Sequence, residues 1–236
     1  MNVVHIDRPF KIKELPLKDI YVLDDYLCTE LWHHFDKQIS QGGIWAKTNQ
    51  VSSDSPTGLP HHQFWGATYY RENERPEDGM TPDKLHFAYY FNRRVQMEFG
   101  FKWVRFQYMG LNSQTQGLQG TTHSDCSDDD EWNISFLYYP NRFWNPKWGG
   151  SLRIYDEHQR GIDGREEHIK NHQIAEVEFK PNRLIMFDGR IPHGADAPHP
   201  SARYIDRRSL VLRGDEVRLV DEEEFFYADD RLSHIR

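Results

Sequence analysis

Six short runs of β-prone and aromatic residues, separated by turn residues, occupy the second half of this 236-residue chain. They are Phe101 to Met109, Trp132 to Tyr139, Ser151 to Tyr155, Ile174 to Phe179, Arg183 to Asp188 and Arg207 to Arg213. This many runs within about 110 residues is typical of a β-sandwich or a barrel. The chain is therefore predicted to be mainly β, with one core formed in this region.

The first hundred residues are predicted to add a strand and two helices. Residues 1–23 favour an opening strand, and Thr29 to Ile39 has apolar residues at helical spacing before Gly42 and Gly43. A second helix is expected from Thr81 to Gly100. Neither a linker nor a repeat separates this part from the strands, so both are assigned to one domain.

Composition narrows the classes of partner. The chain has 37 acidic and 29 basic residues, a net charge of −8, which disfavours nucleic acid. An apolar stretch that could form a membrane span or a signal peptide is missing, so we expect no membrane partner and a cytoplasmic location. Aromatic residues make up 14% of the chain, which favours strands and an aromatic-lined cavity.

Two histidines and one carboxylate are candidate metal ligands. His123 and Asp125 lie two residues apart in a polar turn, so on an extended chain their side chains point to the same side. His193 follows the predicted strand Arg183 to Asp188. Two histidines and a carboxylate form the facial triad that leaves open positions on Fe(II). Asp188 could support His193 or could cap the end of its strand.

The last predicted strand offers an anion-binding arginine. Arg207, Ser209 and Val211 alternate along it and share one face, so Arg207 and Ser209 could both reach into a barrel. A buried guanidinium needs an anion and holds a carboxylate with two hydrogen bonds. The alternative is an exposed edge strand with surface arginines.

Taken in order, these segments resemble the Fe(II)- and 2-oxoglutarate-dependent dioxygenases, and most of all their prolyl 4-hydroxylase branch. The segments that carry the resemblance are His123-x-Asp125, Asn133 to Asn141, Trp148 to Ile154, Lys180 to Phe187, His193, and Arg207-x-Ser209. The resemblance implies an α+β, mainly β fold with a double-stranded β-helix (jelly-roll, cupin-like) core and supporting N-terminal helices. It divides a single domain of residues 1–236 into supporting elements and a substrate loop (1–100), the jelly-roll core (101–214) and a C-terminal extension (215–236).

The same resemblance implies roles for individual residues. His123, Asp125 and His193 would be the iron ligands, and Arg207 would bind the distal carboxylate of 2-oxoglutarate. Arg203 is the alternative, because the basic residue of the family often follows the distal histidine by about ten positions. The other residues implied at the cosubstrate pocket are Tyr139, Tyr108 and Ser209. The implied cofactors are Fe(II), 2-oxoglutarate as cosubstrate and O2, with ascorbate as a further expected reductant.

The implied reaction is hydroxylation of an aliphatic carbon, coupled to decarboxylation of 2-oxoglutarate to succinate and CO2. The expected substrate is a prolyl residue in a protein or peptide, and the alternatives are a free amino acid or another small metabolite. Segment 44–80 lacks periodicity but is rich in aromatic residues, which suits a substrate lid. Its expected substrate contacts are Trp45, Trp65, Tyr69 and Tyr70.

Other functions remain open at this point. A cupin-like barrel could bind a metal or a sugar without oxidising anything, or could be a structural barrel that has lost its site. His168 and His172 could bind zinc from one helical face, although a solvated loop is the preferred interpretation.

Overall fold

In the part of the chain that the computed structural model describes, two β-sheets and two α-helices form most of the regular structure. The structure describes residues 1–8, 10–41, 45–50, 63–71, 82–118, 120, 122–126, 134–155 and 173–219. The strands are β1 (Val3–His5), β2 (Ile20–Leu23), β3 (Ala46–Gln50), β4 (Gln63–Arg71), β5 (Phe101–Gln114), β6 (Ile134–Tyr138), β7 (Leu152–Tyr155), β8 (Gln173–Val177), β9 (Leu184–Asp188), β10 (His193–Ala195) and β11 (Arg207–Leu219). The helices are α1 (Thr29–Gln41) and α2 (Pro82–Phe99).

The larger sheet has eight strands in the order β1-β2-β9-β6-β11-β5-β4-β3, and the smaller has three in the order β10-β7-β8. Neighbouring strands are antiparallel except β1 and β2. Side chains from both sheets share one hydrophobic cluster, so the sheets face each other. This is the architecture of a double-stranded β-helix, and the predicted fold class is confirmed.

The long strands β5 and β11 show how alternation separates the two faces of the larger sheet. Leu210 and Leu212 enter the cluster that packs under the helices, whereas Val211 enters the cluster between the sheets. Residues on β11 two positions apart therefore share a face, and Arg207 and Arg213 lie on the same inner face as Val211. The register pairs Arg207 with Gln114 and Arg213 with Tyr108.

The helices support the outer face of the larger sheet. Phe91, Val95 and Phe99 of α2 are buried in the helix-side cluster. On α1, the indole nitrogen of Trp32 donates to the Pro140 carbonyl at 2.9 Å, and Asp36 forms an ion pair with Arg208 of β11. These contacts brace the sheet from behind and leave its inner face to the site.

Each of the six predicted β runs contains a strand, and both predicted helices are present. The prediction for segment 44–80 was incomplete, because residues 46–50 and 63–71 form β3 and β4 and extend the larger sheet. Residues 51–62 and 72–80 lie outside the described residues. None of the helices described is long and apolar enough to cross a membrane.

Candidate metal centre and anion pocket

The three predicted metal ligands come together at the end of the barrel. His123 and His193 face each other as an antiparallel pair, with reciprocal backbone hydrogen bonds of 2.9 and 2.8 Å. Asp125 follows, and its amide donates to the Gly189 carbonyl at 2.8 Å. The Nε2 atoms of His123 and His193 each lie 3.6 Å from an Asp125 carboxylate oxygen, and the ligand atoms lie within 4.8 Å of one another. One ion with bonds of about 2 Å fits that spacing.

The protonation states of these groups suit a cation. The Nδ1 atom of His193 lies 2.9 Å from the Ile191 carbonyl, which can only accept, so the proton sits on Nδ1 and the Nε2 lone pair faces Asp125. Burial lowers the pKa of His193 to about 4, which keeps the ring neutral near pH 7. The Asp125 side chain is only 2% exposed, and its Oδ1 accepts no hydrogen bond of normal geometry from the described residues. The donor set therefore fits Fe(II).

Two neighbours hold the Asp125 carboxylate. Ser135 donates to Oδ2 at 2.6 Å, and Nη2 of Arg213 lies 2.6 Å from Oδ1. Burial by itself would raise the pKa of Asp125, but the positive charge of Arg213 and the facing histidines hold it well below its usual range. The carboxylate is therefore charged and fixed in position before any ligand arrives.

Arg213 was not among the predicted site residues. The signal that could have identified it is the two-residue alternation that assigned Arg207 and Ser209, because the same alternation continues through Val211 to Arg213. Its position opposite Ser135 and Tyr108 requires the pairing of β11 with β6 and β5, which only the structure shows.

The predicted anion pocket surrounds Arg207, which is 2% exposed. Its Nε donates to the Gly150 carbonyl at 2.7 Å, Nη1 to the Gln114 side-chain oxygen at 2.8 Å, and Nη2 to the Tyr139 hydroxyl at 3.2 Å. A guanidinium has five N–H groups, so one remains on each terminal nitrogen. Two such donors match a carboxylate.

The surroundings of Arg207 keep its guanidinium rigid and dry. The group lies 5.0 Å from the centre of the Tyr139 ring and 4.9 Å from that of Phe179. Burial raises the pKa of Tyr139, so its hydroxyl keeps a proton to donate. Among the described residues, no carboxylate forms an ion pair with Arg207. This buried cation therefore suits an anionic ligand.

Gln114 and Gly150 also shape this pocket and were not predicted to do so. The Gln114 amide nitrogen donates to the Leu118 carbonyl at 3.0 Å, which turns its oxygen toward Arg207. Gly150 has a φ of +82°, and a Cβ there would lie 3.0 Å from Cδ of Arg207. The glycine pair at 149 and 150 was visible in the sequence, whereas the role of Gln114 depends on the strand register.

The structure separates the two candidate arginines. Arg203 is exposed, and its guanidinium lies 5.7 Å from the ring of the exposed Tyr204, so it does not line the pocket. Ser209 is 4% exposed and shares the inner face with Arg207. Tyr108 also lies on the inner face, but opposite Arg213, with its ring centre 5.2 Å from Cζ of that arginine. Tyr108 is thus at the metal end of the pocket.

The expected substrate contacts do not gather at this site. Trp45 packs against the helix-side cluster. Trp65 lies two residues from Ala67, so strand alternation places it on the outer face of the larger sheet, where it is 38% exposed. The side chains of Tyr69 and Tyr70, and all of His168 and His172, lie outside the described residues.

The suggested support of His193 by Asp188 is wrong. Asp188 instead accepts hydrogen bonds from the backbone nitrogen of Arg190 at 3.0 Å and from its Nε at 2.9 Å. The alternative interpretation, a cap at the end of the strand, describes this arrangement. His193 is oriented by the carbonyl of Ile191.

The lowered pKa of His193 predicts how the stability of the metal-free protein depends on pH. The pKa is about 4 in the folded protein against an ordinary 6.5, so between these values the unfolded chain binds a proton that the folded chain does not. Stability should fall as the pH drops from 6.5 to 4, by about 3 kcal/mol for this group. Urea unfolding of chelator-treated protein at several pH values measures it. A His193→Gln variant should show a flatter dependence than a variant of the exposed His199, and equal slopes would contradict the assignment.

Comparison with known proteins agrees with this geometry. Residues 108–212, which contain the three candidate ligands and Arg207, match the model of the 2OG-Fe(II) oxygenase superfamily. Over this segment the chain is similar to the superfamily, whose enzymes use Fe(II), 2-oxoglutarate and O2. The match indicates a dioxygenase enzyme. No curated protein matches the sequence.

Solved structures share the fold at low identity. A 2OG-Fe(II) oxygenase family oxidoreductase from Burkholderia pseudomallei is 14% identical with a TM-score of 0.54, and the match covers 84% of each chain. A prolyl hydroxylase from Trichoplax adhaerens, in complex with a peptide of the hypoxia inducible factor oxygen degradation domain, is 17% identical with a TM-score of 0.50 over 83% of each chain. An α-ketoglutarate-dependent carbocyclase of nogalamycin biosynthesis is 10% identical, with a TM-score of 0.52, covering 85% of this chain and 81% of that one.

Proposed function

We propose that the chain is a dioxygenase that hydroxylates an aliphatic carbon while 2-oxoglutarate is converted to succinate and CO2. The observation that carries the proposal is the pairing of two incomplete sites on one inner surface. The triad of His123, Asp125 and His193 has a donor set that suits a metal ion, and Arg207 has two N–H groups that suit a carboxylate. A dicarboxylate with a 2-oxo acid end satisfies both sites at once.

Each residue then has a defined task. His123, Asp125 and His193 would hold Fe(II), which supplies the activation of O2 when it is bound. Arg207 would bind the far carboxylate of the cosubstrate through its two remaining N–H groups, and the Tyr139 hydroxyl would donate a further hydrogen bond. Because these donors are already held by the barrel, the cosubstrate binds in one orientation.

The interior also excludes water from the proposed reaction. The fully buried Phe187 ring lies 4.7 Å from the His193 ring, edge to face. Tyr139, Phe179 and Trp144 form a continuous aromatic wall, with ring centres 4.3 Å and 4.7 Å from Phe179. An apolar wall keeps solvent protons and water away from the oxidising centre. We propose that the described elements together form one catalytic domain.

For the substrate, we propose a prolyl residue in a protein or peptide. Support comes from the order of motifs shared with the prolyl 4-hydroxylase branch and from the fold that the chain shares with a prolyl hydroxylase in complex with a peptide. A carbocyclase shares the same fold, so the fold by itself does not select the substrate, and the substrate has to be tested directly.

The test is a coupled assay on protein reconstituted with Fe(II). Succinate is quantified during incubation with 2-oxoglutarate, O2 and proline-containing peptides, and the products are searched by mass spectrometry for one added oxygen atom. Free proline and proline-free peptides serve as comparison substrates, and the His193→Ala variant serves as the blank. Absence of succinate above the blank across the panel would contradict the reaction. Succinate accompanied by oxidation only of non-prolyl compounds would contradict the substrate.

A further inference from the structure

Arg213 is a second inward arginine on β11, six residues beyond Arg207, and it lies at the metal end of the pocket. Its side chain is 34% exposed, whereas Arg207 is 2% exposed. Its Nη2 lies 2.6 Å from Oδ1 of Asp125. One strand thus presents a deep guanidinium and a shallow one to the same interior.

The two guanidinium groups differ in how well their donors are satisfied. All three nitrogens of Arg207 donate to the protein. Within the described chain, the Nε of Arg213 is buried and has no hydrogen-bond partner, and its one ion pair is with Asp125. A buried donor that lacks an acceptor is uncommon in a folded protein and indicates a place for a ligand or a water molecule.

The position of Arg213 is set by packing on β5. The Tyr108 ring lies beneath its guanidinium, 5.2 Å from Cζ. Tyr108 can lie there because the next residue on its face is Gly110, where a Cβ would overlap the Tyr108 hydroxyl. The guanidinium therefore rests on an aromatic ring beside the triad, and it is positioned before any ligand binds.

The charges around the triad favour an anion once the metal is present. Before a metal binds, the opposite charges of Asp125 and Arg213 offset each other, because the two groups lie 2.6 Å apart. A divalent cation bound by Asp125 leaves an excess of positive charge at this end of the pocket. Among the described residues, the cluster of candidate ligands contains Asp125 as its one carboxylate.

We propose that Arg213 is a second carboxylate-binding residue. It binds a ligand carboxylate at the metal end of the pocket, whereas Arg207 would bind the carboxylate at the far end. The proposal rests on the proposed function in that the site holds a metal ion. Two small molecules could supply the carboxylate. One is the chelating end of the 2-oxo acid, and the other is a substrate that carries a carboxylate close to the carbon that reacts.

Calorimetric titration of the Mn(II)-saturated protein without O2 tests the proposal, with 2-oxoglutarate, pyruvate and L-proline as ligands. Pyruvate has the chelating 2-oxo acid end but no far carboxylate. The variants are Arg213→Met, which removes the charge, Arg213→Lys, which retains it, and Arg207→Met for comparison. Arg142→Met is the charge-matched control, because Arg142 pairs with Asp36 on the helix side. Mn(II) affinity is measured first for each variant so that every titration is at saturation.

We expect Arg213→Met to lower the affinity for at least one of these ligands by about 10- to 100-fold. Arg213→Lys should lower that affinity less, and Arg142→Met should leave it unchanged. Weaker pyruvate binding would identify the chelating carboxylate as the source, and weaker L-proline binding alone would identify the substrate. Affinities within twofold of wild type for all three ligands would overturn the proposal. If Arg213→Met does not fold, as judged by circular dichroism, Arg213→Gln replaces it.

The Arg207→Met variant distinguishes a failure of the proposed function from a failure of the carboxylate site at Arg213. If Arg207→Met leaves 2-oxoglutarate binding intact, the assignment of the far-carboxylate site fails, whatever Arg213 does. Suppose instead that Arg207→Met lowers the affinity for 2-oxoglutarate but not for pyruvate, and that Arg213→Met lowers neither affinity. The proposed function then stands, and the proposal for Arg213 fails.

Discussion

Replacing His193 by alanine is expected to lower the affinity for Mn(II) or Fe(II) by at least about 100-fold and to abolish formation of succinate from 2-oxoglutarate. This loss of affinity is larger than that caused by replacing a residue that only hydrogen-bonds to a metal ligand. The Nε2 of His193 is one of three ligand atoms within 4.8 Å of one another, and its lone pair is directed to that centre by the Nδ1 hydrogen bond to Ile191. The two ligands that remain cannot form a facial triad. Calorimetry with Mn(II) measures the first effect, and a succinate assay measures the second.

The matched control for this change is His199→Ala. His199 belongs to the same region of the chain, but it is exposed and its ring contacts only Ser201 among the described residues. We expect this variant to bind metal with wild-type affinity. His123→Ala should reproduce the loss seen for His193, because both rings face Asp125 at 3.6 Å. Wild-type metal affinity in His193→Ala, with the fold intact by circular dichroism, would rule out the triad.

Replacing Arg207 by methionine is expected to lower the affinity for 2-oxoglutarate by at least about 100-fold, because the buried carboxylate of the ligand loses two charge-assisted hydrogen bonds. The ligand-free protein should lose less stability than the burial of Arg207 would suggest. The reason is that Arg207 is a buried cation that lacks an ion-pair partner among the described residues, and an apolar side chain of similar length avoids that desolvation cost. The thermal stabilisation that 2-oxoglutarate gives to the Mn(II)-bound protein should therefore disappear. The ligand-free melting temperature should fall only by what the lost hydrogen bonds to Gly150, Gln114 and Tyr139 cost beyond this saving.

Arg208→Met is the control for Arg207, because it makes the same chemical change one residue along β11. The Arg208 side chain points to the opposite face and pairs with Asp36 of α1. It should keep wild-type affinity for 2-oxoglutarate even if it loosens the helix. If Arg207→Met bound 2-oxoglutarate normally, the far carboxylate would have to be held elsewhere.

The parts of the site that depend on local spacing could be predicted from the sequence. The ligands His123 and Asp125 follow from a two-residue spacing in a turn, and Arg207 follows from alternation along one strand. His193 was predicted as well, but residues whose role depends on the exact register of distant strands were not. The roles of Gln114 and Arg213 arise from the register of β5, β6 and β11, which residue patterns do not encode at this precision.

Aromatic composition does not distinguish the inner face of the larger sheet from its helix-side face. Trp45 and Trp65 were expected near the substrate because aromatic residues line cavities, but Trp45 packs against the helix-side cluster and Trp65 is 38% exposed. The larger sheet is apolar on both faces, however, and the helix-side core takes up aromatic residues as readily as the interior does. An aromatic count cannot tell these two surfaces apart.

The direct pairing of His123 with His193 links metal binding to the order in which the barrel can assemble. The two residues are hydrogen-bonded neighbours in space but lie 70 positions apart in the chain, with β6 to β9 between them. A partly folded chain that has not closed this long loop has no place for the ion, however complete its larger sheet. A metal ion held by both histidines would therefore tie together two segments that are distant in the chain, and its binding would require that this long loop is already closed.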